Sequence, residues 1–302
     1  MSFCANCGER YQKPSRLCRR CAFDPEMPEG IADLEVGRLD WRRDDPRFGY
    51  PGERAALGLS IAIAIAIATV LGAASLGVFV VVVAVSLLDL TVAQVRLRKG
   101  AMTVTERNFA GVAKLAKLAA YRLRVRCPDV YVTQDPSYNA YTRGFARHGF
   151  IVVNSALVQD FTAGELLFIL GHEMGHIKHF HATWLTLLSS APSRGAGFLL
   201  APLMQMIFGV WSVKCEYTAD QAGLIASGDV EVGVGALLKL GGGVAAGTEV
   251  DLAAIRATKP DEGKELSGLL EYAGTHPFTH NRVQHLLSYA ESPGFATACS
   301  WK

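Results

Sequence analysis

From Ala55 to Leu88 the chain runs for 34 consecutive positions without a charged residue. A membrane-crossing helix needs about 20 apolar residues. One straight helix over the whole run would be about 50 Å long, at about 1.5 Å of rise per residue, and would overshoot the hydrocarbon core. The small residues Gly72-Ala73-Ala74-Ser75 and Gly77 divide the run near its middle. The run therefore reads as a tight transmembrane helical hairpin over 55–95, with arms at about 55–73 and 76–95. Arg42, Arg43, Arg47 and Arg54 precede it, and Arg96, Arg98 and Lys99 follow it. Basic flanks on both sides suit a hairpin with both ends in the cytoplasm. The competing readings are a single tilted span with the following domain on the far side, and a buried hairpin of a soluble protein.

Upstream of the run the composition changes. Residues 1–24 hold four of the seven cysteines, as Cys4-x2-Cys7 and Cys18-x2-Cys21. Two such pairs make a tetrahedral thiolate site, and a segment this poor in apolar residues would fold around its metal. The expectation is a small zinc ribbon with a structural zinc; a redox dithiol is the alternative. Reduced thiols place this end in the cytosol. Residues 25–54, rich in Pro, Gly and charge, read as a linker. The apolar stretch follows a polar, Cys-rich beginning, so no secretory signal peptide is expected.

Residues 101–302 read as an α+β, mostly helical domain with a small sheet. Thr105 to Arg122 has a helical pattern. Val130–Thr133 and Phe150–Val153 read as strands, with a short third strand between them at Asn139-Ala140-Tyr141-Thr142-Arg143-Gly144. Thr162 and Glu165 fit a capping box opening a long apolar helix. The uncharged stretch 195–211 is short for a span and is interrupted by Pro202.

That apolar helix carries His172-Glu173-Met174-Gly175-His176. Positions i and i+4 share one helical face, so both imidazoles can be aimed at one metal. Glu173 stands beside the first ligand, where its carboxylate can take a proton from a metal-activated water. Catalytic zinc takes three protein ligands and leaves a position open. Forty residues downstream of His176, Glu216 and Asp220 are themselves four apart on one face. Glu216 is the candidate third ligand, and Asp220 a partner that fixes the tautomer of a ligand histidine. An exposed acidic face is the competing reading of that pair. His179 and His181, with three ligands already available, read as ordinary polar positions, as do His148, His280 and His285.

These elements, in this order, resemble the HtpX-like membrane metalloproteases, relatives of the CAAX prenyl proteases. The resemblance covers roughly 100–290. It rests on the HExxH, on Glu216-x-x-x-Asp220 with Ala219 before the Asp, on Thr275-His276-Pro277 followed by Arg282, and on Asn139-Ala140-Tyr141. It implies a gluzincin-type domain in which His172, His176 and Glu216 bind the catalytic zinc and Glu173 is the general base. It further implies that His276 stands near the metal, as a second catalytic group stabilising the oxyanion or as a cap on the zinc in a latent form, and that Arg282 braces its segment through Asp220. Asn139, Ala140 and Tyr141 would form an edge strand that pairs with an extended polypeptide substrate. A role in membrane protein quality control follows from the same resemblance. Two departures stand out. Ser212-Val213 occupies the place where relatives often carry Ser-Arg, and only 39 residues separate His176 from Glu216, where membrane relatives can hold a doubly spanning insert.

The expected cofactors are thus two zinc ions, one catalytic and one structural. The expected partners are polypeptide substrates and a lipid bilayer, with the protease domain on the cytoplasmic side. The net charge of +2 gives no bulk attraction for nucleic acid. Arg10, Lys13, Arg16, Arg19 and Arg20 make the ribbon locally basic, and this reads as a solvated face. A zinc-stabilised chaperone or scaffold with little turnover is the alternative function. No oligomeric state follows from the sequence.

Overall fold

The computed structural model describes residues 2–3, 10–11, 45, 47–71, scattered positions from 77 to 100, 101–144, 149–189, 196–242, 255 and 279–299. Cys4, Cys7, Cys18 and Cys21, the expected linker up to residue 44, positions 72–76 of the expected hairpin, His148 and His276 lie outside the described residues. At the N-terminus, β1 (Ser2–Phe3) pairs antiparallel with β2 (Arg10–Tyr11).

The first long helix, α1, spans Glu53–Leu71. Its buried and half-buried positions are Glu53, Ala56, Leu57, Ser60, Ile61, Ala64 and Ile67, a stripe at three- and four-residue spacing. Ser60 Oγ, on that stripe, donates to the Ile207 carbonyl at 2.7 Å. The other face is also apolar and exposed; Leu59, Ile65 and Val70 are 63%, 61% and 86% accessible. Over the stretch expected to form a second arm, the described positions from Gly77 to Val95 are helical and exposed.

The domain that follows is built on a four-stranded mixed sheet in the order β3-β4-β6-β5. Its strands are β3 (Met102–Thr103), β4 (Val130–Thr133), β5 (Ala140–Arg143) and β6 (Phe150–Asn154). β4 and β6 run parallel, whereas β3 and β5 pair antiparallel at the two edges. Alternation sends Val130, Ile151 and Val153 into the main core, and Tyr131, Phe150 and Val152 into a smaller cluster on the opposite face. The helices are α2 (Ala110–Leu123), α3 (Ser155–Asp160), α4 (Ala163–Lys178), α5 (His181–Ser189), α6 (Ala196–Ser227), α7 (Val230–Gly242), α8 (Thr279–Ala290) and α9 (Pro293–Ala298). The main core joins α2, α4, α6, α7 and α8 through Leu123, Leu167, Phe168, Leu224, Leu237 and Leu286.

Two sequence expectations are corrected. The helix expected from Thr105 begins at Ala110. Thr105 and Asn108 close a local turn instead: Thr105 N and Oγ1 both donate to Asn108 Oδ1, at 2.8 and 2.6 Å. Phe109 is then left-handed at φ 50°, so short polar side chains have outcompeted the helical backbone bonds. Pro202 does not interrupt its segment; α6 runs through it for 32 residues. A proline lacks the amide hydrogen of an ordinary helical residue, yet the helix continues into a C-terminal half packed in the core.

A strap ahead of α1 ties it to the core. Asp45 pairs with Arg47 at 2.7 Å and with Lys178 at the end of α4. Arg47 and Lys178 donate to the carbonyls at the C-terminus of α2, including Leu123 O at 3.2 and 2.9 Å. Burial alone would raise the Asp45 carboxyl, but the hydrogen bonds and charges of Arg47 and Lys178 outweigh it and hold the group well below the usual carboxylate range. Asp45→Asn leaves two cations uncompensated and is expected to destabilise the domain by about 3–5 kcal/mol at pH 7. A depressed folded pKa gives stability that is present above the unfolded value of about 3.9 and is lost as pH falls below it. The gap in unfolding midpoint between wild type and Asp45→Asn should therefore narrow from pH 7 to pH 3. An equal gap at both values would remove Asp45 as its source.

Candidate metal centre

The frame of α4 is set at its first turn. Thr162 Oγ1 accepts from Glu165 N at 3.3 Å, and Thr162 N donates to Glu165 Oε2 at 2.8 Å. Lys239 from α7 pairs with the same carboxylate at 2.7 Å. With that start fixed, His172 and His176 fall on one face about three and four turns later. α6 crosses this helix at very short range. A Cβ built on Gly171 would lie 2.3 Å from Ala226 Cβ, and one on Gly175 would lie 2.7 Å from Ala222 Cβ. Only glycine allows that approach, and it brings Glu216 and Asp220 of α6 up to the two histidines.

His172 Nε2 and His176 Nε2 stand 3.1 Å apart, and Glu216 lies 3.7 Å from the first and 3.4 Å from the second. A tetrahedral zinc with bonds of about 2.0–2.1 Å separates its ligand atoms by about 3.3 Å. The three buried donors, two imidazoles and a carboxylate, therefore fit a divalent metal of that kind in number, chemistry and spacing.

The groups behind the donors are held in turn. His172 Nδ1 donates to Asp220 Oδ1 at 2.9 Å, taking the tautomer whose Nε2 faces the other two donors. Arg282 from α8 donates to both oxygens of Asp220, at 2.9 and 2.6 Å, and comes within 3.4 Å of Glu216. Burial would raise the Asp220 carboxyl, but Arg282 and His172 overcome it and keep the group below its ordinary value. Glu173, also buried, accepts from Thr142 Oγ1 at 2.6 Å. Sequence reasoning missed Thr142, although period-two alternation along Ala140-Tyr141-Thr142 carries the signal. Ala140 and Thr142 face α4, while Tyr141 packs on the far cluster with Tyr131 and Phe150. β5 is an edge strand, paired on one side only among the described residues.

The reading of His179 and His181 as ordinary polar positions is corrected, because the turn after α4 folds both inward against the site. His179 rests against Phe48, with ring centroids 5.0 Å apart, and burial together with neighbouring His181 pushes it down to about 3. His181 Nδ1 is 3.1 Å from His176 Nδ1, and its Nε2 is 2.9 Å from Glu53 Oε1. Glu53 escaped the sequence reading because nothing in local spacing links it to residues more than a hundred positions away. His280 and His285 are half-buried on α8, and His285 stacks on Tyr217 at 4.0 Å.

Comparison with known proteins gives a consistent picture. The pattern of peptidase family M48 matches residues 106–290, well over half of the chain. A plastoglobule-localized metallopeptidase 48, chloroplastic, from Arabidopsis thaliana is 33% identical over 167 residues, 52% of this chain and 48% of that protein. A protease HtpX homolog from Streptococcus uberis is 27% identical over 204 residues, 54% of this chain and 68% of the relative. One from Neisseria meningitidis serogroup C is 26% identical over 201 residues, 56% and 69% of the two chains. The chain thus spans about half the length of the first of these relatives.

Proposed function

The chain belongs to peptidase family M48, and from that premise we propose that it is a membrane-anchored, zinc-dependent endopeptidase that cuts polypeptides. The observation that carries this reading is the convergence of His172, His176 and Glu216 beside the buried carboxylate of Glu173. A zinc ion held by those three side chains supplies Lewis acidity toward a water and the scissile carbonyl. Glu173 accepts the proton of the attacking water and passes it to the departing amine nitrogen. Thr142 orients that carboxylate through its 2.6 Å hydrogen bond. Asp220, itself clamped by Arg282, keeps His172 in the ligating tautomer. An extended substrate adds to the open edge of β5, and the Thr142–Glu173 bond puts the general base next to the strand it would pair with.

Membrane attachment is supported by α1. Its segment Glu53–Val70 is long and apolar enough to cross a bilayer, and among the described residues most of its apolar surface is left exposed. At about 1.5 Å per residue, this helix is about 28 Å long, close to the hydrocarbon thickness. We further propose the quality control of membrane proteins as its role, and a structural zinc on Cys4, Cys7, Cys18 and Cys21.

The test uses the full chain in detergent with an unfolded protein as substrate. Chelation should abolish cleavage, and one equivalent of zinc beyond that held by the cysteines should restore it. His172→Ala should lose that equivalent and the activity together. Cleavage that persists in metal-stripped protein would overturn the proposal.

A further inference from the structure

The two candidate ligand histidines are supported from behind in different ways. His172 reaches a carboxylate directly, through Asp220. Behind His176 stands a second imidazole. With the Nε2 of His176 turned toward Glu216, its Nδ1 carries the proton and donates to His181 Nδ1 at 3.1 Å. His181 is then protonated on Nε2 and donates to Glu53 Oε1 at 2.9 Å. The other oxygen of Glu53 accepts from Thr218 Oγ1. One assignment of protons satisfies every group in this chain, and all four side chains are buried. The carboxylate at its end belongs to the first residue of α1, the helix whose exposed face is apolar.

We propose that Glu53 is a positioning residue of the metal centre, acting through His181 to fix the tautomer and ring orientation of His176, and so linking the seat of the apolar helix to the metal. The neighbouring strap holds this seat in place: Gly49 N donates to Gln221 at 2.9 Å and Tyr50 N donates to Thr218 at 2.8 Å, both acceptors being on α6. α1 is thereby fixed to the helix that carries Glu216, by the strap bonds ahead of Glu53 and by the Ser60–Ile207 bond beyond it. A displacement of α1 from that seat would break the Glu53–His181 contact and release the ring of His176. The Glu53, His181 and Cys215 side chains are also close enough together to hold a metal of their own. The relay is favoured because both nitrogens of His181 and both oxygens of Glu53 are already taken up by hydrogen bonds.

The inference rests on the proposed zinc site, and its test separates the two. In the full chain, the quantity measured is the Kd of the metal that is lost in His172→Ala, by competition with a chelator, with the visible spectrum of the cobalt-substituted protein alongside. Glu53→Gln and His181→Ala should each weaken that Kd by about 10–100-fold, the usual cost of removing a partner behind a ligand, and each should shift the cobalt bands. Glu53→Gln should add nothing in the His181→Ala background, since it acts through that ring. Glu53→Gln keeps the size of the side chain and decides the matter alone if His181→Ala does not fold. An unchanged Kd in Glu53→Gln, or effects that multiply in the double variant, would overturn the relay. Cys215→Ser should leave metal content unchanged; loss of one equivalent would overturn the relay in favour of a second metal on Glu53, His181 and Cys215. A wild-type chain with no metal dependent on His172 would instead sink the proposed function.

Discussion

Glu173→Gln is expected to lower peptide hydrolysis by about 10²–10⁴-fold, the range over which a positioned proton-transfer group acts, with metal content and unfolding midpoint close to wild type. The amide keeps the shape of the side chain and can still accept from Thr142 Oγ1 at the position now 2.6 Å away. What it loses is the capacity to take a proton. A substrate bound along β5 makes its contacts with backbone, so KM should change little and kcat should carry the loss. The measurement is cleavage of an unfolded protein by Glu173→Gln and wild type, both loaded with zinc. Equal rates would eliminate Glu173 as base and, with it, the reading of the His172–His176–Glu216 group as hydrolytic. A rate lost together with the metal would point instead to a supporting role for Glu173 in holding the site.

The parts of this site that the sequence discloses are those fixed by helical geometry alone. A four-residue spacing puts His172 beside His176, and Glu216 beside Asp220, wherever the helices go. The capping box was legible for the same reason, since Thr162 and Glu165 are three positions apart. The strands at 130–133 and 150–153 are legible from their short runs of β-branched and aromatic residues, and their parallel pairing is a tertiary fact that those runs do not contain. That the two helices meet was legible only through family resemblance. Nothing in the spacing of residues 172 and 216 requires it. Thr142 and Glu53, which escaped, act across elements distant in sequence, and His181, only five residues past His176, is turned inward by the fold of the loop after α4; in all three the signal lies in the packing. The turn at Thr105–Asn108 was missed for a different reason. Its side chains compete with the helix locally, and a hydrophobic pattern does not register that competition.

The packing signal was nevertheless present in the composition of the helices, and it supports the second large prediction. Gly171 and Gly175 are four apart on α4, on the face that meets Ala219, Ala222, Gly223 and Ala226 of α6. Large side chains at this crossing would hold the helices apart, and Glu216 would no longer reach the two imidazoles. A Cβ on Gly175 already falls 2.7 Å from Ala222 Cβ and 3.2 Å from Ala219 Cα, so even alanine forces a shift, and valine forces a larger one against backbone. Gly175→Val should cost about 1–3 kcal/mol through overpacking. Its effect on catalysis should be larger, because misplacement by about 1 Å can cost 10²-fold in rate. The expected result is a loss of about 10²-fold or more in kcat/KM together with weakened zinc binding, in a protein that still unfolds cooperatively. Gly111, in α2, has nothing within 4 Å of its own built Cβ. Gly111→Ala should therefore raise stability by about 0.5–1 kcal/mol and leave activity unchanged. If Gly175→Val retained wild-type activity and metal affinity, the close crossing of α4 and α6 could not be what assembles the three donors.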